Sequence, residues 1–398
     1  MKNNRTFLDK LLDGAEVEWK PLRDVSDFQN GFAFKSNLFK EEGKPIVRIT
    51  NIDGKEINLS DVKYFSPNDY NTNMSPYKIN KGDILIAMSG ATTGKIGFYN
   101  YEYTSYLNQR VGKFLPKTNI LNNRYLYHYL LSKVEEIYII AGGGAQPNLS
   151  SNRLMSEIQI PIPPLSVQTE IVRILDALTA LTSELTSELI LRQKQYEYYR
   201  EKLLSFDSLE RLNKGRAKKK VIDVSDIQWL PLNKIYKFQY GVGNKIPTIG
   251  EKYPVYGSNG IVGTHNEYNS ENSPVIGHIG AYAGIVNWAE GKHFVTYNGI
   301  ICKKINDNVN ERYAYHLLLL QNFIDKANKA SQPFISYDIL NKCIVPIPPL
   351  EEQNRIVSIL DKFETLTNSI TEGLPLAIEQ SQKRYEYYRE LLLLNFPG

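Results

Sequence analysis

The stretch PIPPLSVQTEIVRILD at residues 161–176 returns as PIPPLEEQNRIVSILD at 346–361, with 11 of 16 positions identical. Each copy runs on to the same ending, YEYYRE, at 196–201 and again at 385–390. Such agreement inside one chain identifies an internal duplication, and a duplication constrains the fold before any element is assigned. The rest of the chain is arranged around these two copies.

Apolar residues follow each PIPPL at helical spacing. In the first copy Ile171, Ile174, Leu178, Leu181, Leu185, Leu189, Tyr196, Tyr199 and Leu203 form one seam. In the second the seam is Ile356, Ile359, Phe363, Leu366, Ile370, Leu374, Ile378, Tyr385 and Tyr388. Proline disfavours helix at the residue before it and suits a helix start, so PIPPL reads as a strand-to-helix junction, in preference to a proline-rich ligand. The first helix is expected from about Ser166 to Phe206. The copies differ in length: Asp176 to Tyr196 is 20 residues, Asp361 to Tyr385 is 24, and the longer one carries Gly373 and Pro375. An interior proline costs about 3 kcal/mol or more, so the second helix is expected to kink or break near Leu374.

The segments before each helix are variable. PIVRITNI (45–52), DILIAMSG (83–90), KIGFYN (95–100) and VGKFLPK (111–117) read as strands between Gly, Asn and Pro breaks, and a helix is expected from about Asn122 to Ile140. Phe7, Leu8, Leu11 and Leu12 mark a short amphipathic start. The second segment echoes the first: WLPL at 229–232 answers WKPL at 19–22, ERYAYHLLLL answers NRYLYHYLLS, and SQPFIS answers AQPNLS. The expected fold is α+β: two mixed α/β domains (1–160 and 227–345), two long antiparallel helices forming a coiled-coil spacer (161–212 and 346–398), a basic linker at 213–226, and a pseudo-twofold internal repeat. A helix of about 40 residues is roughly 60 Å long, more than one turn of duplex DNA. Two sites read on one duplex are therefore expected.

Bulk properties narrow the function classes. With 398 residues the chain exceeds one ordinary core, and 42% hydrophobic with 23% charged residues is the balance of a soluble globular protein. No apolar run reaches the roughly 20 residues of a membrane span and no signal-peptide core opens the chain, so a cytoplasmic protein without a membrane partner is expected. Cys302 and Cys343 are isolated from each other and from histidine pairs, which supports neither a disulfide framework nor a zinc site. Net charge is only +4, but Arg211, Lys214, Arg216, Lys218, Lys219 and Lys220 crowd a stretch without an acid, a solvated linker or a phosphate contact.

No catalytic constellation emerges. SGATTGKIG at 89–97 resembles a phosphate-binding loop, but it is one residue short and Ile96 stands where a magnesium-binding Ser or Thr belongs. Its counterpart, IGAYAGIVNW at 279–288, keeps Gly280 and Gly284 and replaces the lysine with Ile285. A glycine turn between strands explains both, with amides that could meet a DNA phosphate. No Asn-Pro-Pro-Tyr-like element is present, so adenine methylation is not expected from this chain. His128 and His316 occupy equivalent places beside tyrosines and read as structural. What remains is a supply of residues suited to base edges: Lys35, Ser36, Ser89, Thr92, Thr93, Lys95, Gln109, Arg110, Gln146 and Asn148 in the first half, and Asn244, Lys245, Tyr256, Ser258, Asn259, His278, Tyr282, Tyr297, Asn298 and Gln332 in the second.

With two variable segments, each closed by a PIPPL helix ending in YEYYRE, together with FLDKLLDGAEVEWKPL and the SGATTGKIG turn, the chain resembles the DNA-specificity subunit of type I restriction-modification systems over nearly its whole length. The resemblance implies two target recognition domains, each reading half of a bipartite, asymmetric site on double-stranded DNA. It implies that the helices dock two modification subunits, which carry S-adenosylmethionine and methylate adenine, and that restriction subunits using ATP and Mg²⁺ join them. This chain then has no cofactor, no metal and no catalytic residue of its own. Leu178, Leu181, Leu185, Leu189, Tyr196, Tyr199, Phe363, Leu366, Tyr385 and Tyr388 are the expected spacer and partner positions. TSELTSEL at 182–189 resembles the family's variable-number spacer repeat and is also good seam sequence. Competing readings are a stand-alone DNA-binding regulator and a nuclease or NTPase.

Overall fold

Each half opens on a two-stranded antiparallel pair, Glu18–Pro21 with Gln159–Ile162 and Gln228–Pro231 with Ile344–Ile347. Trp19 lies opposite Pro161 and Trp229 opposite Pro346, so the WxPL echoes are the strand partners of the PIPPL junctions. Proline is tolerated there because a two-stranded pair leaves one side of each strand without ladder bonds. Leu22 and Leu232 follow directly and are fully buried. The computed structural model describes residues 6–144, 147–205, 227–243, 250–328, 331–369 and 371–396, so the basic cluster at 211–220 lies outside the described residues.

The chain divides into two units, one of residues up to Glu184 with those from Ile378 onward, the other of Leu185–Ala377. The division falls within the helices. Each unit takes its variable segment and PIPPL helix start from one half of the sequence, and its YEYYRE segment from the other.

In the first unit Ile84–Ala87, buried along its whole length, is flanked by Val111–Pro116 and Ile96–Phe98, with Ser26–Asn30 outermost. A second four-stranded sheet has the order Lys63–Phe65, Lys44–Val47, Ser105–Leu107, Lys78–Ile79. In the second unit one six-stranded sheet repeats the frame: Tyr236–Tyr240, Gly299–Lys304, Ser270–Gly277, Val286–Val295, Tyr253–Gly257, Gly260–His265. The expected helix at 122–140 is two, Asn123–Ser132 and Val134–Ile140, separated at Lys133. At the chain start Thr6 and Asp9 form a capping box for Phe7–Leu12. Leu8 and Leu12 enter the core there, whereas Phe7 is 48% exposed.

The first PIPPL opens an unbroken helix, Leu165–Leu204. Its buried apolar residues are Val167, Ile171, Leu175, Tyr196 and Leu204, so the single expected seam is corrected: Leu175 and Leu204 belong to the buried set, and Leu181 and Tyr199 are 40% and 39% exposed. Leu178, Leu185 and Leu189 are half-buried. The second PIPPL opens Leu350–Asn368, and a separate helix follows at Leu374–Leu393. The break is therefore where the sequence places it, but its cause is glycine. Gly373 has φ +89°, and a Cβ there would lie 2.6 Å from the Thr365 carbonyl oxygen. Pro375 sits in the first turn of the new helix, where a missing N–H needs no partner.

Buried polar groups fasten each helix to its variable segment. The Gln168 carboxamide accepts from the Asn122 amide (2.8 Å) and donates to the Ile120 and Pro163 carbonyls. Gln353 repeats this with Asn310 (2.8 Å), Asn308 and Pro348. Asn122 and Asn310 in turn cap the helices Asn123–Ser132 and Glu311–Leu320. One turn further, His128 is fully buried with Nε2 2.8 Å from Asp176 Oδ1, and Arg124 pairs with the same carboxylate. Because the Asp176 carboxylate only accepts, Nε2 carries the proton of the neutral ring, and Nδ1 is left to accept from the Tyr385 hydroxyl (3.1 Å). Within this unit Thr182 meets Ser381 (2.8 Å) while Tyr385 reaches the Asp176 level, so the two helix segments run antiparallel.

The second unit builds the same clamp from His316, Asp361, Arg312 and Tyr196, with Nε2 to Asp361 at 2.8 Å and the Tyr196 hydroxyl 3.3 Å from Nδ1. Tyr199 stacks on Phe363 at 5.6 Å beside it. Tyr388 and Leu366 are half-buried. Glu364 adds a second carboxylate to Arg312 and accepts from the Tyr315 hydroxyl. His316, Asp361 and Glu364 lie within metal-ligand reach of one another, but the guanidinium already occupies both carboxylates.

Burial depresses the His128 pKa from 6.5. Burial alone would raise the Asp176 carboxyl, yet the bonds from His128 and Arg124 outweigh it and hold it at about 2, against an ordinary 3.8. Both folded values lie below their unfolded ones, so the unfolded chain binds more protons and stability falls as pH falls. The His128 contribution is lost below pH 6.5, and the Asp176 contribution between 3.8 and about 2. Asp176→Asn is expected to lose about 1–2 kcal/mol at pH 7 after discounting for a half-exposed carboxylate. It is also expected to flatten the acid limb; urea unfolding as a function of pH checks both. Gly373→Ala combines a left-handed backbone with a carbonyl clash and is expected to cost about 2–3 kcal/mol, read by the same unfolding measurement at pH 7.

Candidate nucleic-acid interface

The glycine turns of the two halves share one hydrogen-bond scheme. In the first, the amides of Gly90, Thr93, Gly94 and Lys95 donate to the carbonyls of Pro147, Gly90, Ala87 and Thr92. In the second, Gly280, Ala283, Gly284 and Ile285 donate to Pro333, Gly280, Gly277 and Tyr282. In each turn these four amides are therefore engaged, the first of them by the flanking loop at Pro147 or Pro333, which removes them as phosphate ligands. Gly284 has φ +94°, and a Cβ there would stand 2.5 Å from the Ile324 amide nitrogen, so the turn demands glycine.

Two further loops meet each turn through main-chain bonds. Met88 donates to Arg110 and Leu149 to Met88; His278 donates to Asn298 and Ile335 to His278. These matched bonds put Ser89 with Ile279, Thr92 with Tyr282, Gln109 with Tyr297, Arg110 with Asn298 and Asn148 with Phe334. Three of these pairs, Thr92 with Tyr282, Gln109 with Tyr297 and Arg110 with Asn298, join candidates from both halves, whereas Ser89 and Asn148 face Ile279 and Phe334, which were not candidates.

In the first half Ser89, Gln109, Arg110 and Asn148 converge with Gly90, Ala91 and Pro147 on an open groove of about 900 Å³. Gln109, Arg110 and Asn148 are exposed, and the buried Ser89 hydroxyl has no partner among the described residues. Thr93 leaves the set: it is buried, and its hydroxyl donates to the Gly90 and Pro147 carbonyls. The Thr92 hydroxyl donates to Ile49 (3.2 Å), and Lys95 runs past Gly54 outside the groove. Lys35 and Ser36 are exposed elsewhere, where the Lys35 amide donates to the Tyr70 hydroxyl beside the Phe32, Phe34 and Phe65 cluster.

The second-half site is aromatic. Tyr240 stacks on Tyr337 at 4.2 Å, and the His278 ring lies 4.3 Å from Tyr240. His278 is 6% exposed and its Nδ1 donates to the Tyr297 carbonyl (3.0 Å), so it supports the site from below. Tyr282 and Tyr297 are 50% and 42% exposed. Ser258 and Asn259 form the tip between Tyr253–Gly257 and Gly260–His265, and Gln332 is exposed. Tyr256 is corrected to a core residue: it is 8% exposed with its ring edge-on to His293, and burial raises its phenol. Gln146, Asn244 and Lys245 lie outside the described residues.

Sequence reasoning missed Gln168, Gln353, Asp176 and Asp361, although all four stand in the repeat at matched positions. Tyr240 and Tyr337 were also missed; their equivalents are Asn30 and Ser151, which no shared motif marks. Among the described residues no helix is long and apolar enough to cross a membrane.

The comparisons agree over the full chain. The type I restriction modification DNA specificity domain matches twice, at residues 15–192 and 213–380. A Haemophilus influenzae protein named as a type I restriction enzyme specificity subunit is 41% identical over 99% of each chain. The EcoR124I/EcoR124II specificity subunit of Escherichia coli is 31% identical over 98% of this chain and 97% of its own. The crystal structure of the type I restriction-modification S subunit from M. genitalium shares the fold, with TM-score 0.63, 20% identity and 97% of each chain covered. A duplicated specificity domain and relatives matched from end to end make this chain a member of the type I restriction-modification DNA specificity family.

Proposed function

We propose that the chain selects the DNA sequence on which a type I restriction-modification complex acts, with one half of a bipartite site read by each variable segment. The observation that carries this is the pair of exposed sites built on one main-chain frame with different side chains, Gln109 and Arg110 in one half and Tyr297 and Asn298 in the other. A shared frame with divergent tips fits two readers of different sequence.

The helices serve as spacer and docking face. On Leu165–Leu204, Leu191 and Tyr198 are 57% and 54% exposed and line a groove of about 450 Å³ with Glu188, Arg192, Lys194, Gln195 and Tyr199. An apolar strip rimmed by charge suits a helical partner. Modification subunits docked there, two per chain, carry S-adenosylmethionine and methylate adenine, and restriction subunits supply the ATP- and Mg²⁺-dependent cleavage. This chain contributes recognition and assembly, working inside the cell on double-stranded DNA.

The TSEL tandem lies within the unbroken helix. Deleting Thr182–Leu185 removes about one turn, roughly 6 Å or two base pairs of reach. Co-expression with the modification subunit and mapping of N6-methyladenine is expected to show a motif with a shorter gap and both half-sites unchanged. An unchanged gap would remove the helix from the role of ruler.

A further inference from the structure

The two sites share a frame but offer a base opposite chemistry. In the first half, Arg110 stands at the mouth of the groove at the end of a turn closed by the Val111 amide on the Asn108 carbonyl (2.8 Å). Its own amide donates to Asn108 Oδ1, and its carbonyl accepts from Met88. The backbone at Arg110 is therefore held on both sides while its side chain is exposed. None of the seven groove residues is acidic, and among the described residues the guanidinium has no ion-pair partner. The other polar side chains lining the groove, Gln109, Asn148 and Ser89, carry no charge, and the buried Ser89 hydroxyl has no partner among the described residues. An unneutralised fork of donors among neutral groups calls for a ligand edge with two adjacent acceptors.

In the major groove that edge is guanine, whose N7 and O6 both accept; adenine sets a donor beside N7 and opposes the fork. At the matching position of the second half stands Asn298, whose carboxamide offers one donor and one acceptor, the complement of adenine N6 and N7. Beside it the exposed Tyr297 ring rests edge-on to His278, at 5.0 Å, giving an apolar wall suited to a thymine methyl.

We propose that Arg110 reads a guanine in the first half-site and that Asn298, at the same place in the frame, reads an adenine in the second. The inference rests on the DNA-reading function proposed above and adds the base each half selects at its shared position. A phosphate contact by Arg110 is the rival outcome, because phosphate oxygens also accept in pairs.

The test uses the full chain co-expressed with its modification subunit, with N6-methyladenine mapped across the host DNA. The wild type is expected to yield a bipartite motif with a guanine in one half and an adenine at the corresponding place in the other. If it methylates no bipartite motif, the DNA-reading function itself fails, before any variant is made. In Arg110→Ala, preference for that guanine is expected to fall about ten- to hundredfold, with the other half-site and the gap preserved. Retention of the other half-site also reports that the variant folds. Asn298→Ala is expected to relax the adenine and leave the guanine. A wild-type first half-site without guanine, an Arg110→Ala motif identical to wild type, or a uniform loss of methylation at all sites would overturn the assignment.

Discussion

A carboxylate held between a fully buried imidazole and a guanidinium is the interaction on which both units depend. It joins three stretches far apart in sequence: the variable segment through His128 and Arg124, its own PIPPL helix through Asp176, and the other repeat's YEYYRE through Tyr385. A buried neutral histidine has one donor and one acceptor, and here both are used. Losing any member leaves a polar group buried without its partner, which costs more than a missing apolar contact of similar size. The second clamp repeats the logic with His316, Asp361, Arg312 and Tyr196. Because each takes its tyrosine from the opposite copy, neither unit is complete with one half of the sequence alone.

Much of this architecture could be read from the sequence. The repeats gave the duplication, the proline runs gave the strand-to-helix junctions, and Asp361 to Tyr385 exceeding Asp176 to Tyr196 by four residues gave the break. The reason for the break was misread, because proline cost was weighed at Pro375 while the left-handed Gly373 and the carbonyl packed against it decide the geometry. The seam was misread as well. Heptad spacing marks what an isolated pair of helices would bury, whereas Leu175 and Leu204 are buried by variable-segment cores that periodicity does not see. Gln168 and Gln353 escaped notice for a related reason: glutamine is ordinarily a surface residue, and only three bonds around one carboxamide justify its burial.

At the interface residue types were legible in the chain, and the fold supplied their equivalence. Tyr256 looked like its neighbours Ser258 and Asn259, yet it sits in a strand stretch, Val255–Gly257, that is buried throughout. Thr93 and Thr92 are adjacent in the turn, but one hydroxyl is consumed inside it and the other reaches Ile49. Such outcomes depend on which atoms a turn brings together, information that composition does not hold.

The same accounting explains why the tips can differ while the frame does not. The bonds joining the glycine turn to its two flanking loops run between main-chain groups: Met88 to Arg110 and Leu149 to Met88 in one half, His278 to Asn298 and Ile335 to His278 in the other. Main-chain bonds place no demand on the side chains projecting from those residues, so Arg and Asn, Gln and Tyr, or Asn and Phe exchange there without loss of the scaffold. The clamps impose the reverse condition, since their bonds run through side chains and admit little but His, Asp, Arg and Tyr. A recognition protein needs both kinds of bond in separate places. Side-chain networks fix how the helix meets each reader, and main-chain networks hold the reading edge while leaving its chemistry open to change.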